Sequence, residues 1–183
     1  MSLPFPLKGA TLVVGPSNVG KTRLTATALD TWVTGHGPEG VAVLDFAPTV
    51  ERDGNVLGGH LTQFTTVPEA AFHGAFDAHA PRSEGANRTE ALDLAAVNAD
   101  AAFTYLDDAP ADPAAVFVND ATIALQADPV AAERLVAYCD RADCAVLNAF
   151  ESDELGTNHP VSANEREALD ALRAWADRAV ELD

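Results

Sequence analysis

Gly15-Pro16-Ser17-Asn18-Val19-Gly20-Lys21-Thr22 sets two glycines, a lysine and a hydroxyl in the register G-x-x-x-x-G-K-[ST]. An apolar run, Ala10-Thr11-Leu12-Val13-Val14, precedes it, and a helical pattern from Arg23 to Trp32 follows. Strand, glycine-rich turn and helix in that order bind phosphate by a known physical route. The backbone N–H groups along residues 16–22, of which Pro16 carries none, and the positive end of the helix are expected to converge on one anion. Lys21 is expected to bridge β- and γ-oxygens, and Thr22 to offer its hydroxyl to Mg²⁺. Gly20 is read as a place where a Cβ would block close backbone approach. Asn18 stands where many such loops carry glycine, and tolerates a left-handed backbone better than most residues.

The rest of the chain repeats the alternation of strand and helix signals. Val41-Ala42-Val43-Leu44-Asp45-Phe46, Ala114-Ala115-Val116-Phe117-Val118-Asn119-Asp120 and Cys144-Ala145-Val146-Leu147-Asn148-Ala149-Phe150 read as buried strands. Residues 47–66 read as irregular, with Gly54, Gly58 and Gly59 and a short strand at Leu61–Thr65. Helical periodicity is read at Val67–Ala80, Thr89–Leu106, Pro129–Cys139 and Asn164–Asp177, and a last short strand at Ala179–Leu182. The expected fold is α/β, a three-layer sandwich with a mostly parallel central sheet. It forms a single domain over residues 1–183, with a helical, lid-like insertion at about 67–110.

Composition narrows the function classes. The chain carries 28 acidic and 11 basic side chains, a net charge of −17, and 48 % of its residues are apolar. The acids are spread through the sequence rather than gathered in a tail, so its surface repels nucleic acid and anionic membranes, which need clustered Lys and Arg. No apolar run approaches the roughly 20 residues that span a bilayer. The first residues lack the basic and apolar parts of a signal peptide, so the expected location is cytoplasmic. Cys139 and Cys144 are not spaced as C-x-x-C and read as buried free thiols. The five histidines show no metal-ligand spacing.

A magnesium-bound triphosphate needs an acid at the end of a buried strand. Asp120 closes one such strand and is the candidate that holds Mg²⁺ with Thr22. Asp45 closes another and is read as orienting a water or a phosphate acceptor. Lys21, Asp120 and Asp45 are therefore the candidate catalytic residues. Asn119 is read as facing away from Asp120 by strand alternation. Arg82 and Arg88, flanking Gly85, and Arg52 are candidate arginines for a transferring phosphoryl group.

These residues resemble the P-loop NTPase superfamily, which implies an ATP or other NTP cofactor, Mg²⁺, and contacts from Gly15 to Arg23. Asn18-Val19-Gly20-Lys21-Thr22 is similar to the loop of translation-type GTPases. Those enzymes read guanine through a later [NT]-K-x-D, which this chain cannot form because its two lysines are Lys8 and Lys21. RecA- and KaiC-like ATPases are similar in placing an acid on a middle strand. They carry a glutamate nearby, for which Glu51 is the weak candidate, and a polar residue where Asn148 stands. Gly20-Lys21-Thr22-Arg23 resembles the loop of the adenosylcobinamide kinase family, echoed faintly at Glu154-Leu155-Gly156 and Pro160. The resemblance implies an ATPase or small-molecule kinase with an unknown acceptor, or a regulatory module that needs a protein partner. Strand order separates the branches: a strand between those of the loop and Asp120 belongs to the RecA-like arrangement, direct adjacency to the kinase–GTPase one.

An acid-rich, lysine-poor chain of this kind resembles the halophilic proteins, whose self-repulsion molar salt screens, the Debye length there being roughly 3 Å. Thermal melts are expected to show a clear drop in Tm on transfer from molar salt to about 0.1 M. A salt-independent Tm contradicts this reading.

Overall fold

The computed structural model describes residues 2–57 and 59–183, and the side chains of residues 50–52 and 55–57 lie outside that description. The chain runs β1 (Gly9–Gly15), α1 (Lys21–His36), β2 (Val41–Asp45), β3 (Val50–Arg52), β4 (Asn55–Leu57) and β5 (Phe72–Ala75). It continues with α2 (Pro81–Glu84), α3 (Arg88–Asp108), β6 (Ala115–Asn119), α4 (Ala132–Cys139), β7 (Cys144–Phe150), α5 (Pro160–Trp175) and β8 (Arg178–Glu181). Six strands form one sheet in the order β5-β2-β6-β7-β1-β8, every pair parallel. β3 and β4 pair as an antiparallel hairpin on the crossover from β2 to β5.

Parallel strands buried on both faces read as nearly continuous apolar runs, as β1, β2, β6 and β7 do. Their alternation then divides the core in two. Leu12, Val14, Leu44, Val116, Val118 and Leu147 face one way, onto Leu106 of α3, Leu135 of α4 and Leu169 and Leu172 of α5. Val13, Val41, Val43, Phe117 and Val146 face the other, onto Leu24, Leu29 and Trp32 of α1. Helices thus cover both faces, giving the three layers. No helix among the described residues is long and apolar enough to cross a membrane.

Two expected elements are corrected. Residues 67–80 do not form a helix; they contain β5, which pairs Phe72–Ala75 with Ala42–Asp45. Alanine-rich local propensity is weak against the ladder hydrogen bonds that the open edge of β2 offers. Gly74 marks the close packing there, since a Cβ would lie 2.8 Å from Tyr105 Cβ of α3. The region 67–110 therefore opens with a sheet-edge strand and continues with α2 and α3. Leu61–Gln63 is a 3-10 turn rather than a short strand. Gly58 lies outside the described residues.

All the parallel strands end on one edge, which collects Gly15, Asp45, Asn119 and Asn148. The chain leaves β1 through α1 on one face and reaches β8, on the other side of β1, through α5 on the opposite face. Such a reversal opens a crevice outside the strand ends, the usual ligand position in open α/β sheets. Phe117→Ala, emptying a fully buried site, is expected to cost about 3–5 kcal/mol by denaturant midpoint. Val97→Ala, at a 53 % exposed position, should stay within about 0.5 kcal/mol; equal losses contradict this division of the core.

Candidate functional site

Residues 15–22 leave the end of β1 and enter α1 as the sequence pattern requires. Gly15 has φ +154, and a Cβ there would overlap the Leu182 carbonyl oxygen. Gly20 has φ +100, and a Cβ there would meet nothing within 4 Å, so backbone conformation rather than crowding requires glycine. Asn18 takes φ +62, the left-handed backbone expected of it. Leu24 N–H donates to Gly20 O at 2.9 Å and starts the helix.

The loop forms one wall of a cleft of about 920 Å³. Ser17 to Arg23 line it, facing Arg82, Asp120, Thr122, Gln126, Phe150, Glu154 and Glu165. Lys21 is buried and its Nζ donates to Pro16 O. Burial lowers its pKa, against the attraction of Asp120 and Glu154. Ser17 N–H donates to Glu154 Oε1 at 2.9 Å. On the rim, the Arg23 guanidinium lies 5.1 Å from the Phe64 ring centre, and Phe64 is 42 % exposed.

A row of polar side chains runs beneath the loop, from strand to strand. Thr22 Oγ1 donates to Asn119 Oδ1 at 3.2 Å. Asn119 Nδ2 donates to Asp45 Oδ1 at 2.8 Å and to Gly59 O at 3.0 Å. Asn148 Nδ2 donates to Asn119 Oδ1 and to Thr25 Oγ1, each at 2.8 Å. Asp45, Asn119, Asn148 and Thr25 are all buried. Leu61 N–H donates to Asp45 Oδ2 at 2.7 Å, and His60 Nδ1 lies 3.2 Å from Asp45 Oδ1 without hydrogen-bond alignment.

Asp120 stands just beyond β6 with φ +55, a left-handed turn that few non-glycine residues adopt. That turn breaks the strand alternation, so Asn119 and Asp120 serve the same site rather than opposite faces. Asp120 N–H donates to Asn148 Oδ1 at 2.9 Å. Burial pushes its carboxyl up to about 6, Lys21 opposing and Glu165 and Asp45 adding to the rise. Thr22 and Asp120 supply oxygen donors to the cleft. Among the described residues no group of three or more His, Cys, Asp or Glu side chains forms a metal cage. A hydroxyl and one carboxylate, completed by phosphate and water oxygens, fit magnesium, which seldom takes an all-protein cage.

The structure thus brings Lys21, Thr22 and Asp120 together at the cleft, while Asp45 sits one residue behind it. Arg82 lines the cleft and Arg88 does not; its Nη2 donates to Asn158 O at 3.1 Å. The side chains of Glu51 and Arg52 lie outside the described residues. Arg82 Nη1 donates to Glu165 Oε1 at 2.8 Å and Ser162 Oγ at 3.0 Å. Glu165 Oε2 accepts from Thr122 Oγ1 at 3.1 Å and Gln126 Nε2 at 2.8 Å. Glu165 is legible in principle: it occupies a stripe position of α5 between buried Val161 and Ala168 and Leu169. Asn119 has no comparable signal.

No protein-family model and no curated protein matches the chain.

Asp120 titrates near 6 in the fold against 3.8 when unperturbed. Its charge therefore opposes folding above pH 6, and that penalty fades as pH falls through about 6 toward 4. Asp120→Asn is expected to raise Tm at pH 7–8 and to lose the gain below about pH 4. A Tm gain that does not vary with pH contradicts the assignment.

Proposed function

We propose that the cleft binds a nucleoside triphosphate with magnesium and that the chain hydrolyses it or transfers its terminal phosphoryl group. The observation that carries this is the loop Gly15–Thr22 leaving a central parallel strand for a helix N-terminus, with Lys21, Thr22 and Asp120 on one cleft. Strand order supports the RecA-like branch of the P-loop NTPases, because β7 lies between β1 and β6, the strand that Asp120 follows.

In this reading the amides of residues 18–22 hold the β- and γ-phosphates, and Lys21 turns its ammonium from Pro16 O to their oxygens. Thr22 and Asp120 would hold the magnesium, which would supply positive charge against that developing on the phosphate oxygens. Arg82 supplies a further cation across the cleft. Phe64 and Arg23 at the rim offer a flat apolar face and a cation for a nucleoside base. The acceptor oxygen, from water or a hydroxyl, would bond to the γ-phosphorus as the bridging P–O bond breaks and the diphosphate leaves, its proton passing to a phosphate oxygen or to solvent.

A second reading, a regulatory module with slow intrinsic turnover, draws on the state of the cleft acids. Glu165 is engaged by Arg82, Thr122 and Gln126, and Glu154 by Ser17 N–H. Glu165 has both oxygens engaged and is not free to orient an attacking water, whereas Glu154 is held through Oε1 alone. In that case a protein partner completes the site.

Lys21→Ala is expected to abolish MgATP binding by titration calorimetry, while Lys8→Ala, at an exposed position, retains it. Unchanged affinity in Lys21→Ala overturns the proposal.

A further inference from the structure

The hydroxyl of Thr22 has one proton and two lone pairs, so its use toward a cation depends on where the proton goes. It goes to Asn119 Oδ1, away from the cleft. Asn119 is fully buried, and its amide has two possible orientations, only one of which presents an acceptor to Thr22.

Three neighbours choose that orientation. Asp45 Oδ1 and Gly59 O can only accept, so both require Nδ2 on their side. Asn148 Nδ2 donates, and requires Oδ1 on the other. Asp45 is suited to its own place for a related reason. Its carboxylate accepts on both oxygens, from Leu61 N–H and from Asn119 Nδ2. An amide there would turn a donor toward one of these donors. The register supports the contact, since Asp45 and Asn119 are direct partners across β2 and β6.

We infer that Asp45 and Asn119 are a positioning pair for Thr22. The Asp45 carboxylate sets the Asn119 amide, and the amide draws off the Thr22 proton so that the hydroxyl lone pairs face the cation. The inference rests on the magnesium-nucleotide reading above. It also accounts for a neutral residue at 119. A carboxylate there would place a second buried charge against Asp45 Oδ1 and the Gly59 carbonyl, a costly arrangement even with the His60 ring 3.2 Å from Asp45 Oδ1. Residue 119 is an amide because residue 45 is an acid.

The test uses the full chain with ADP, and Mn²⁺ as the metal probe, its binding followed by electron paramagnetic resonance. Asp45→Asn is expected to weaken Mn²⁺ binding to the nucleotide complex by about tenfold, the usual scale for partners behind a metal ligand. Affinity for ADP without metal should change less than about twofold. Thr22→Val removes the hydroxyl, and in that background Asp45→Asn should have no further effect on Mn²⁺. Wild-type Mn²⁺ affinity in Asp45→Asn, or additive losses in the double variant, overturns the inference.

Stability gives an independent arm if Asp45→Asn folds poorly. Asn119→Asp should lower Tm sharply, and Asn119→Asp with Asp45→Asn should recover part of the loss, because the pair regains one donor and one acceptor while the Gly59 carbonyl still lacks its donor. An Asn119→Asp variant as stable as wild type, or no recovery in the exchange, overturns it as well. Failure of the wild-type chain to bind ADP or Mn²⁺ refutes the nucleotide reading itself. Binding by wild type with no response to residue 45 refutes only the pair.

Discussion

The hydrogen bond from Asn119 to Asp45 is the contact on which the cleft depends. It joins the ends of two adjacent parallel strands in a fully buried setting, where an unpaired polar group costs about 1–3 kcal/mol. Because Asp45 must accept and Asn148 must donate, the amide between them has one orientation, and the Thr22 hydroxyl inherits its direction from that. The row from Asp45 through Asn119 and Asn148 to Thr25 thus ties β2, β6, β7 and α1 together at the level of the glycine-rich loop. A network of this kind rigidifies a site only when each member is satisfied, which holds for both asparagine side chains here.

The layered fold is legible in the sequence because its strands are strongly apolar and its glycines mark the turns. Residues 144–150 read as a strand and form β7, and the loop after β1 takes the left-handed position that Asn18 implies. The segment 67–80 misleads for a specific reason. Its alanines favour helix locally, whereas the edge of β2 is visible only once the sheet is assembled. The alternation rule turns Asn119 away from the site; that rule holds within β6 and fails at its end, where Asp120 turns left-handed. Glu165 sits in an apolar stripe, yet only the fold shows Arg82, Thr122 and Gln126 converging on it.

Charge distribution adds a further constraint. The chain is acidic throughout, and Lys21, Arg23 and Arg82 nevertheless face one cleft. Asp120, Glu154 and Glu165 line the same cleft and balance these cations, Glu154 holding Ser17 N–H and Glu165 holding Arg82. A polyanion entering the cleft competes with Glu154 for the loop while the surrounding surface repels it, so the site favours a ligand held by many short contacts over one attracted from a distance.

The central claim is that the loop Gly15–Thr22 cradles a triphosphate and that Thr22 faces its magnesium. A crystal structure with a non-hydrolysable ATP analogue and magnesium tests both at once. The account predicts the β- and γ-phosphates against the amides of residues 18–22, Lys21 Nζ released from Pro16 O, and Thr22 on the metal while still donating to Asn119. Phosphates bound away from this loop, or a metal that leaves Thr22 untouched, would contradict it.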